Sequence, residues 1–256
     1  MSAGAQDGRP LVLCLHESGT SGRVWKPLAD ALGDSADVLA PDRIGWAATP
    51  APEGYARTTI AEQAGFAEAR LSEADADTAI VCGAGLGAAI ALELLLRRPG
   101  MVSGAILVEP PLLSFAPGAT EALSADAATV REAFEAGGRE AVLDAYLDGR
   151  LPALGPGAER IPDALAERGP VAARALAAEL GAVPAWEVPS ANLAAATRPS
   201  VIVTGENTPS LLDQAATGLA AVLGRSQRLV LGPGHPHHDH PSEVAEAIAD
   251  LADRAS

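Results

Sequence analysis

The sequence predicts one α/β domain: a six-stranded parallel sheet flanked by helices, with a helical lid inserted late in the chain. Three observations carry that prediction. Six short runs rich in Val, Ile and Leu are apolar almost throughout rather than alternating, as strands covered by helices on both faces are. Segments with helical spacing separate these runs, and strand alternating with helix is the pattern of a mostly parallel sheet. From Pro110 to Pro199 the alternation stops. An interval so much longer than the usual connection of about 4–6 residues has to carry structure of its own.

The expected strands are Leu11–Leu15, Val38–Ala40, Thr78–Cys82, Ala105–Val108, Ser200–Thr204 and Arg228–Leu231. Between the first two, Trp25, Leu28 and Leu32 fall at i, i+3 and i+7 and set one apolar stripe of a helix; Leu86, Ile90 and Leu94 do the same after the third. Within the long interval Asp126–Glu135 and Val171–Leu180 have helical character, and Gly155-Pro156-Gly157 and Gly169-Pro170 interrupt it. Val244, Ile248 and Leu251 mark a last helix, with Ser242 as its expected N-cap and Glu243 and Glu246 in its first turns, where the helix dipole favours negative charge. The expected division is a core of residues 1–110 and 199–256 and a helical lid over 111–198.

The 256 residues are 48% hydrophobic, enough to bury a large core. No apolar stretch approaches the roughly 18 residues of a spanning helix, since the richest, Leu86 to Leu96, contains Glu93. The first ten residues carry no basic lead into an apolar run, which makes the cytoplasm the expected compartment. Asp and Glu outnumber Lys and Arg 33 to 18, for a net charge of −15. That is the wrong sign for phosphates, so nucleic acids and membranes are not expected partners. The expected partner is a small-molecule substrate, and a homodimer is left open. Cys14 and Cys82 lie in strand runs and read as small core residues without a disulfide framework.

In an open α/β sheet, ligands bind outside the carboxyl ends of the strands. The residues there are His16-Glu17-Ser18-Gly19-Thr20-Ser21-Gly22 after the first strand, Gly83-Ala84-Gly85-Leu86-Gly87 after the third, and Glu109-Pro110-Pro111 after the fourth. After the sixth come Gly234-His235-Pro236-His237-His238-Asp239-His240-Pro241, so all five histidines of the chain lie in two of these loops.

With these loops the chain resembles the α/β-hydrolase superfamily over nearly its whole length. Leu11–Trp25 is similar to the family's strand, His-Gly oxyanion loop and following helix, and Pro41-Asp42-Arg43-Ile44-Gly45-Trp46 to its Pro-Asp-x-x-Gly turn. Gly83–Gly87 looks like the strand-to-helix elbow, and Pro233-Gly234-His235 with His240-Pro241 like the histidine loop. The resemblance implies a sheet in the order 2-1-3-4-5-6 with right-handed crossovers, the family's two N-terminal antiparallel strands having no room before Leu11. It also implies roles. His235 is the base, with His237 as a second candidate because the loop is one residue short; Glu109 is the acid that orients it; the backbone N–H groups of Ser18 and Leu86 form the oxyanion hole.

One position departs from the family. Where it holds Ser, Cys or Asp as the elbow nucleophile, this chain has Gly85, with no side chain to attack anything. The expected chemistry is therefore a His235–Glu109 dyad that activates water or a substrate group on a small apolar carbonyl, ester or epoxide compound, without a covalent acyl-enzyme. The missing side chain would leave room for water or a substrate atom at the elbow. Ser18 as a displaced nucleophile is the weaker alternative, because a loop of N–H donors rarely also presents the attacking oxygen. His16, Glu17, Trp46 and His237 are expected to contact substrate. Glu17 replaces the family's small glycine and reads either as a partner of Arg43 or as a further acid–base group. No cofactor and no resident metal is expected: the Pro breaks in the histidine loop fit no standard ligand spacing, and His237, His238 and His240 read as a solvated or locally hydrogen-bonded cluster.

Two other classes stay open. A non-catalytic binding protein of the same fold would keep the elbow while its chemistry is lost. Gly83-x-Gly85-x-x-Ala88 after a strand, with Glu109 at the next strand end, is also an NAD(P)-type dinucleotide fingerprint, although it opens the third βα unit rather than the first and leaves His16, His235 and the lid unexplained.

Overall fold

The computed structural model describes residues 9–74, 76–155 and 158–255. Its strands are β1 (Leu11–Leu15), β2 (Asp37–Leu39), β3 (Ala79–Ala84), β4 (Val102–Val108), β5 (Ser200–Gly205) and β6 (Ser226–Leu231). They form one six-stranded sheet in the order β2-β1-β3-β4-β5-β6, with every pair parallel. This is the expected order. The helices are α1 (Lys26–Leu32), α2 (Ile60–Glu73), α3 (Leu86–Arg97), α4 (Ala119–Leu147), α5 (Pro170–Glu179), α6 (Ser190–Ala194), α7 (Ser210–Val222), α8 (Pro236–Asp239) and α9 (Pro241–Ala255).

Both faces of the sheet are buried, which is why its strands read as continuous apolar runs. In β1, Leu11, Leu13 and Leu15 pack into a core with α2, α3 and α7, while Val12 and Cys14 point to the opposite core with α1 and α9. Cys14 and Cys82 are register partners on β1 and β3, both buried and free. Strand boundaries differ from expectation where the apolar signal weakens. β4 begins at Val102, ahead of Gly104, and β6 begins at Ser226 because an edge strand tolerates the partly solvated Ser226, Gln227 and Arg228. α9 starts at Pro241, one residue before the expected cap, since proline suits a first helical position. The expected absence of an antiparallel pair over Met1–Pro10 falls almost wholly outside the described residues, as do Pro156 and Gly157 of the expected break.

Between β4 and β5 the chain carries α4, α5 and α6. α4 bends at Gly137 and Gly138, whose backbone angles are not helical. The buried Asp126 carboxylate accepts the N–H groups of Ala153 and Leu154, both at 2.7 Å, and so ties the chain beyond α4 back onto it. Leu143 and Tyr146 of α4 pack with Ala172 and Leu176 of α5 around Trp46. Among the described residues no helix is long and apolar enough to cross a membrane.

Candidate active site

The elbow that follows β3 is built although its nucleophile is absent. Gly85 has φ 51° and ψ −122°, a left-handed conformation that glycine adopts most readily, and its N–H donates to Val108 O at 3.0 Å. The neighbouring glycines are required by packing. A Cβ on Gly83 would lie 2.1 Å from Gly87 O, and one on Gly87 would lie 2.1 Å from Leu15 O. Close packing at Gly83 and the positive φ at Gly85 thus account for the two fingerprint glycines without a dinucleotide. The expected open space at the elbow is not there: a Cβ on Gly85 would lie 2.9 Å from Cβ of Glu17. Glu17 occupies the place that an elbow side chain would take.

The loop after β1 is clamped from below. His16 is fully buried; its Nε2 accepts the N–H of Arg43 at 3.0 Å and its Nδ1 donates to Glu17 O at 2.8 Å, which fixes a neutral tautomer. Burial and then the Arg43 charge hold its pKa down at about 3. Thr20 Oγ1 donates to the same carbonyl. His16 is therefore a positioning group beneath the loop and does not line the cavity, contrary to expectation.

Glu17 points to the histidine loop instead of to Arg43. Its Oε1 lies 2.8 Å from Nε2 of His235 and its Oε2 lies 3.6 Å from Nε2 of His237, as ion-pair contacts rather than aligned hydrogen bonds. Burial alone would raise the carboxyl pKa, but the charges of His235 and then His237 outweigh it and the net shift is downward. For His235 burial opposes protonation, yet the adjacent Glu17 charge prevails and the pKa is raised. The pair is thus biased toward carboxylate and imidazolium. His237 is fully buried with no aligned hydrogen bond at its ring among the described residues, where a solvated or locally hydrogen-bonded ring was expected; burial and then His235 lower its pKa to about 3, and its ring lies 4.1 Å from that of Trp25. The one-turn helix α8 brings it there, and the His235 N–H donates to Asp239 Oδ2 at 2.5 Å.

The expected His235–Glu109 dyad is not formed. Glu109, at φ 47° beyond β4, has both oxygens engaged elsewhere: Thr208 Oγ1 donates to Oε1 and Arg160 Nη2 to Oε2, each at 2.5 Å. Arg160 also donates to Gly234 O at 2.9 Å, so Glu109 holds the histidine loop through its backbone. Its charge still reaches His235 but ranks below that of Glu17 in raising the pKa.

The buried carboxylate of Glu179 escaped the sequence reading. Glu179, at the end of α5, pairs with Arg43 and accepts Trp46 Nε1 at 2.8 Å and Ser18 Oγ at 2.6 Å. Ser18 has its hydroxyl proton directed to a carboxylate, and Trp46 lies behind the cavity rather than on it. The signal was present in the sequence: Ala172, Leu176 and Glu179 share one helical face, so a carboxylate interrupts a buried stripe.

These groups surround a cavity of about 220 Å³. Glu17, Ser18, Gly85, Leu86, Glu109, His235 and His237 line one end, and Leu113, Leu123, Ile161, Leu180 and Trp186, all from the inserted segment, supply apolar walls. Leu86 is the first residue of α3, where a backbone N–H has no intrahelical acceptor and can serve a ligand.

A glycine elbow after β3, a buried loop after β1 and a histidine loop after β6, at the carboxyl edge of one parallel sheet, fit the α/β-hydrolase architecture. Residues 12–247 match the model of the alpha/beta hydrolase family, and the chain belongs to that family. A haloalkane dehalogenase from Bradyrhizobium diazoefficiens is 30% identical over 106 residues, 41% of this chain and 33% of that protein, so the match spans about a third of the relative. Among solved structures, a loop variant of a haloalkane dehalogenase from Bradyrhizobium elkanii has TM-score 0.67 at 24% identity, covering 98% of this chain and 93% of the other. The enol-lactonase from Burkholderia xenovorans has TM-score 0.73 at 18% identity, with 98% and 94% covered. At such identities the structural likenesses establish the fold.

Proposed function

We propose that the protein is a hydrolase for a small, apolar ester, other carbonyl compound or epoxide, and that Glu17 with His235 carries the chemistry in place of an elbow nucleophile. The observation that supports this most is the Glu17 carboxylate above Gly85, 2.8 Å from Nε2 of His235 and facing a cavity with apolar walls. A carboxylate biased toward ionisation beside an imidazole biased toward protonation is a base and an acid in one site.

For an ester, water sits between Glu17 and the carbonyl carbon. Glu17 takes one water proton as the water oxygen adds to that carbon, and the N–H groups of Ser18 and Leu86 receive the oxyanion. Collapse expels the alkoxide, which takes its proton from His235. The proton on Glu17 then passes to His235, restoring carboxylate and imidazolium. Acid and alcohol leave with the atoms of one water added. The helical segment over 111–198 acts as the lid that keeps bulk water from the site. The hydrolase names of the related haloalkane dehalogenase and the structurally similar enol-lactonase fit this reaction class.

The test is a panel of small apolar esters, lactones and epoxides assayed with the wild type, Glu17→Gln and His235→Ala. Turnover should fall by roughly 10²–10⁴-fold in either variant, the usual contribution of a positioned acid or base. Turnover unchanged in both variants would remove this reading, and no turnover of any panel member by the wild type would favour a binding protein.

A further inference from the structure

Glu17, His235 and His237 offer more donor atoms than acid–base chemistry uses. Beyond the Glu17–His235 ion pair, Oε2 of Glu17, Nδ1 of His235 and both ring nitrogens of His237 are buried without an aligned hydrogen bond among the described residues. Buried groups of this kind are normally paired or bound to a metal ion, because their desolvation is otherwise uncompensated. One ligand atom from each residue can be chosen so that all three lie within 4.8 Å of one another.

The spacing suits a small cation. Ligands on a tetrahedral ion with bonds of about 2.0–2.1 Å stand about 3.4 Å apart. Each imidazole faces a different oxygen of Glu17, His235 Nε2 at 2.8 Å from Oε1 and His237 Nε2 at 3.6 Å from Oε2, on either side of that distance. Each ligand is also held from behind. Glu17 follows the His16 clamp, the His235 backbone is tied to Asp239, and the His237 ring packs on Trp25.

We propose that Glu17, His235 and His237 form a binding site for one divalent transition-metal ion, zinc above all, with the remaining coordination position open to the cavity. Two imidazoles and one carboxylate are a nitrogen-rich set that suits zinc and its neighbours, whereas calcium and magnesium require more oxygen ligands. The three-ligand arrangement with one free position is that of an accessible zinc centre. The inference goes beyond the acid–base reading and shares two residues with it: an ion at this site takes the lone pairs that reading assigns to proton transfer.

The test uses the full chain, stripped with a chelator and titrated with zinc chloride by calorimetry. One zinc should bind per chain, and His237→Ala and Glu17→Gln should each weaken binding by roughly 10–100-fold or more, since losing a ligand exceeds the effect of losing an outer-shell partner. A His238→Ala, His240→Ala double variant should bind as the wild type does. Absence of zinc uptake, or uptake lost only in that double variant, overturns the proposal. X-ray absorption of the zinc-loaded wild type needs no substitution to be interpreted, and a first shell with fewer than two imidazoles also overturns it. Activity separates the two readings. Turnover without zinc that zinc inhibits supports both; turnover only with zinc supports the metal site and removes the acid–base route; turnover with no zinc uptake does the reverse.

Discussion

Glu17 and Glu109 occupy equivalent places, each just beyond the carboxyl end of a strand, each buried and each on the cavity wall. Their partners set them apart. Glu109 is neutralised by Arg160 and bonded by Thr208, so its lone pairs serve the architecture. Glu17 has no guanidinium or hydroxyl partner among the described residues and faces two imidazoles. In a parallel sheet, position narrows the candidates to a few loops, and the partners brought in by distant segments decide which candidate is free to react. Arg160 comes from the inserted segment and converts Glu109 from an expected catalytic acid into a strut.

The largest effect that could break this contrast is on turnover. Glu17→Gln should lower kcat by roughly 10²–10⁴-fold, whereas Glu109→Gln should act mainly on stability. Equal kcat losses would erase the distinction. Next comes the strut itself. Arg160→Met strands the Glu109 charge in a buried setting and should destabilise by about 3–5 kcal/mol in urea unfolding. A loss below about 1 kcal/mol would class the pair with surface ion pairs of little worth.

A smaller effect is expected at the elbow. Gly85→Ala places a Cβ against that of Glu17 on a left-handed backbone, which should cost about 1–3 kcal/mol from strain and displace the carboxylate. Gly85→Ser should likewise lose activity, and a gain of esterase activity would mean that Glu17 does not fill the slot.

The least steep effect is the pH dependence of stability. His16 and His237 have pKa values lowered to about 3, so as pH falls below about 6.5 the unfolded chain binds protons that the folded one refuses. Stability should drop by up to about 1.4 kcal/mol per pH unit for each, read from urea midpoints between pH 7 and 5. His235 behaves oppositely: its raised pKa gives stability that is fully present below about 6.5 and fades as pH rises through the folded value. Glu17 stabilises above the ordinary carboxyl range and loses that contribution as pH falls through its lowered value. His237→Ala should flatten the acid slope; an unchanged slope would mean that His237 is not buried neutral.

Much of the fold was legible because burial on both sheet faces leaves continuous apolar runs, and the strand order followed from the loops that carry the resemblance. The candidate residues of the cavity were legible as well: Glu17, Gly85, Glu109, His235 and His237 all line it. The pairing within it was not. Which carboxylate meets His235 depends on Arg160 and Thr208, which are 51 and 99 residues from Glu109 in the chain. His16 and Trp46, expected to contact substrate, lie off the cavity for the same reason, since the clamp from Arg43 and the carboxylate of Glu179 turn both away from it. Local spacing carries no trace of such long-range partners.

The pairing of His235 with Glu17 is tested most directly, and without knowledge of the substrate, by an NMR titration of the His235 imidazole in three proteins. In the wild type His235 should titrate above the ordinary histidine value of about 6.5. Glu17→Gln should bring it below that value, because burial then acts with little opposition, while Glu109→Gln should leave most of the elevation in place. A His235 pKa that collapses with Glu109→Gln and stays raised with Glu17→Gln would make Glu109, not Glu17, its partner.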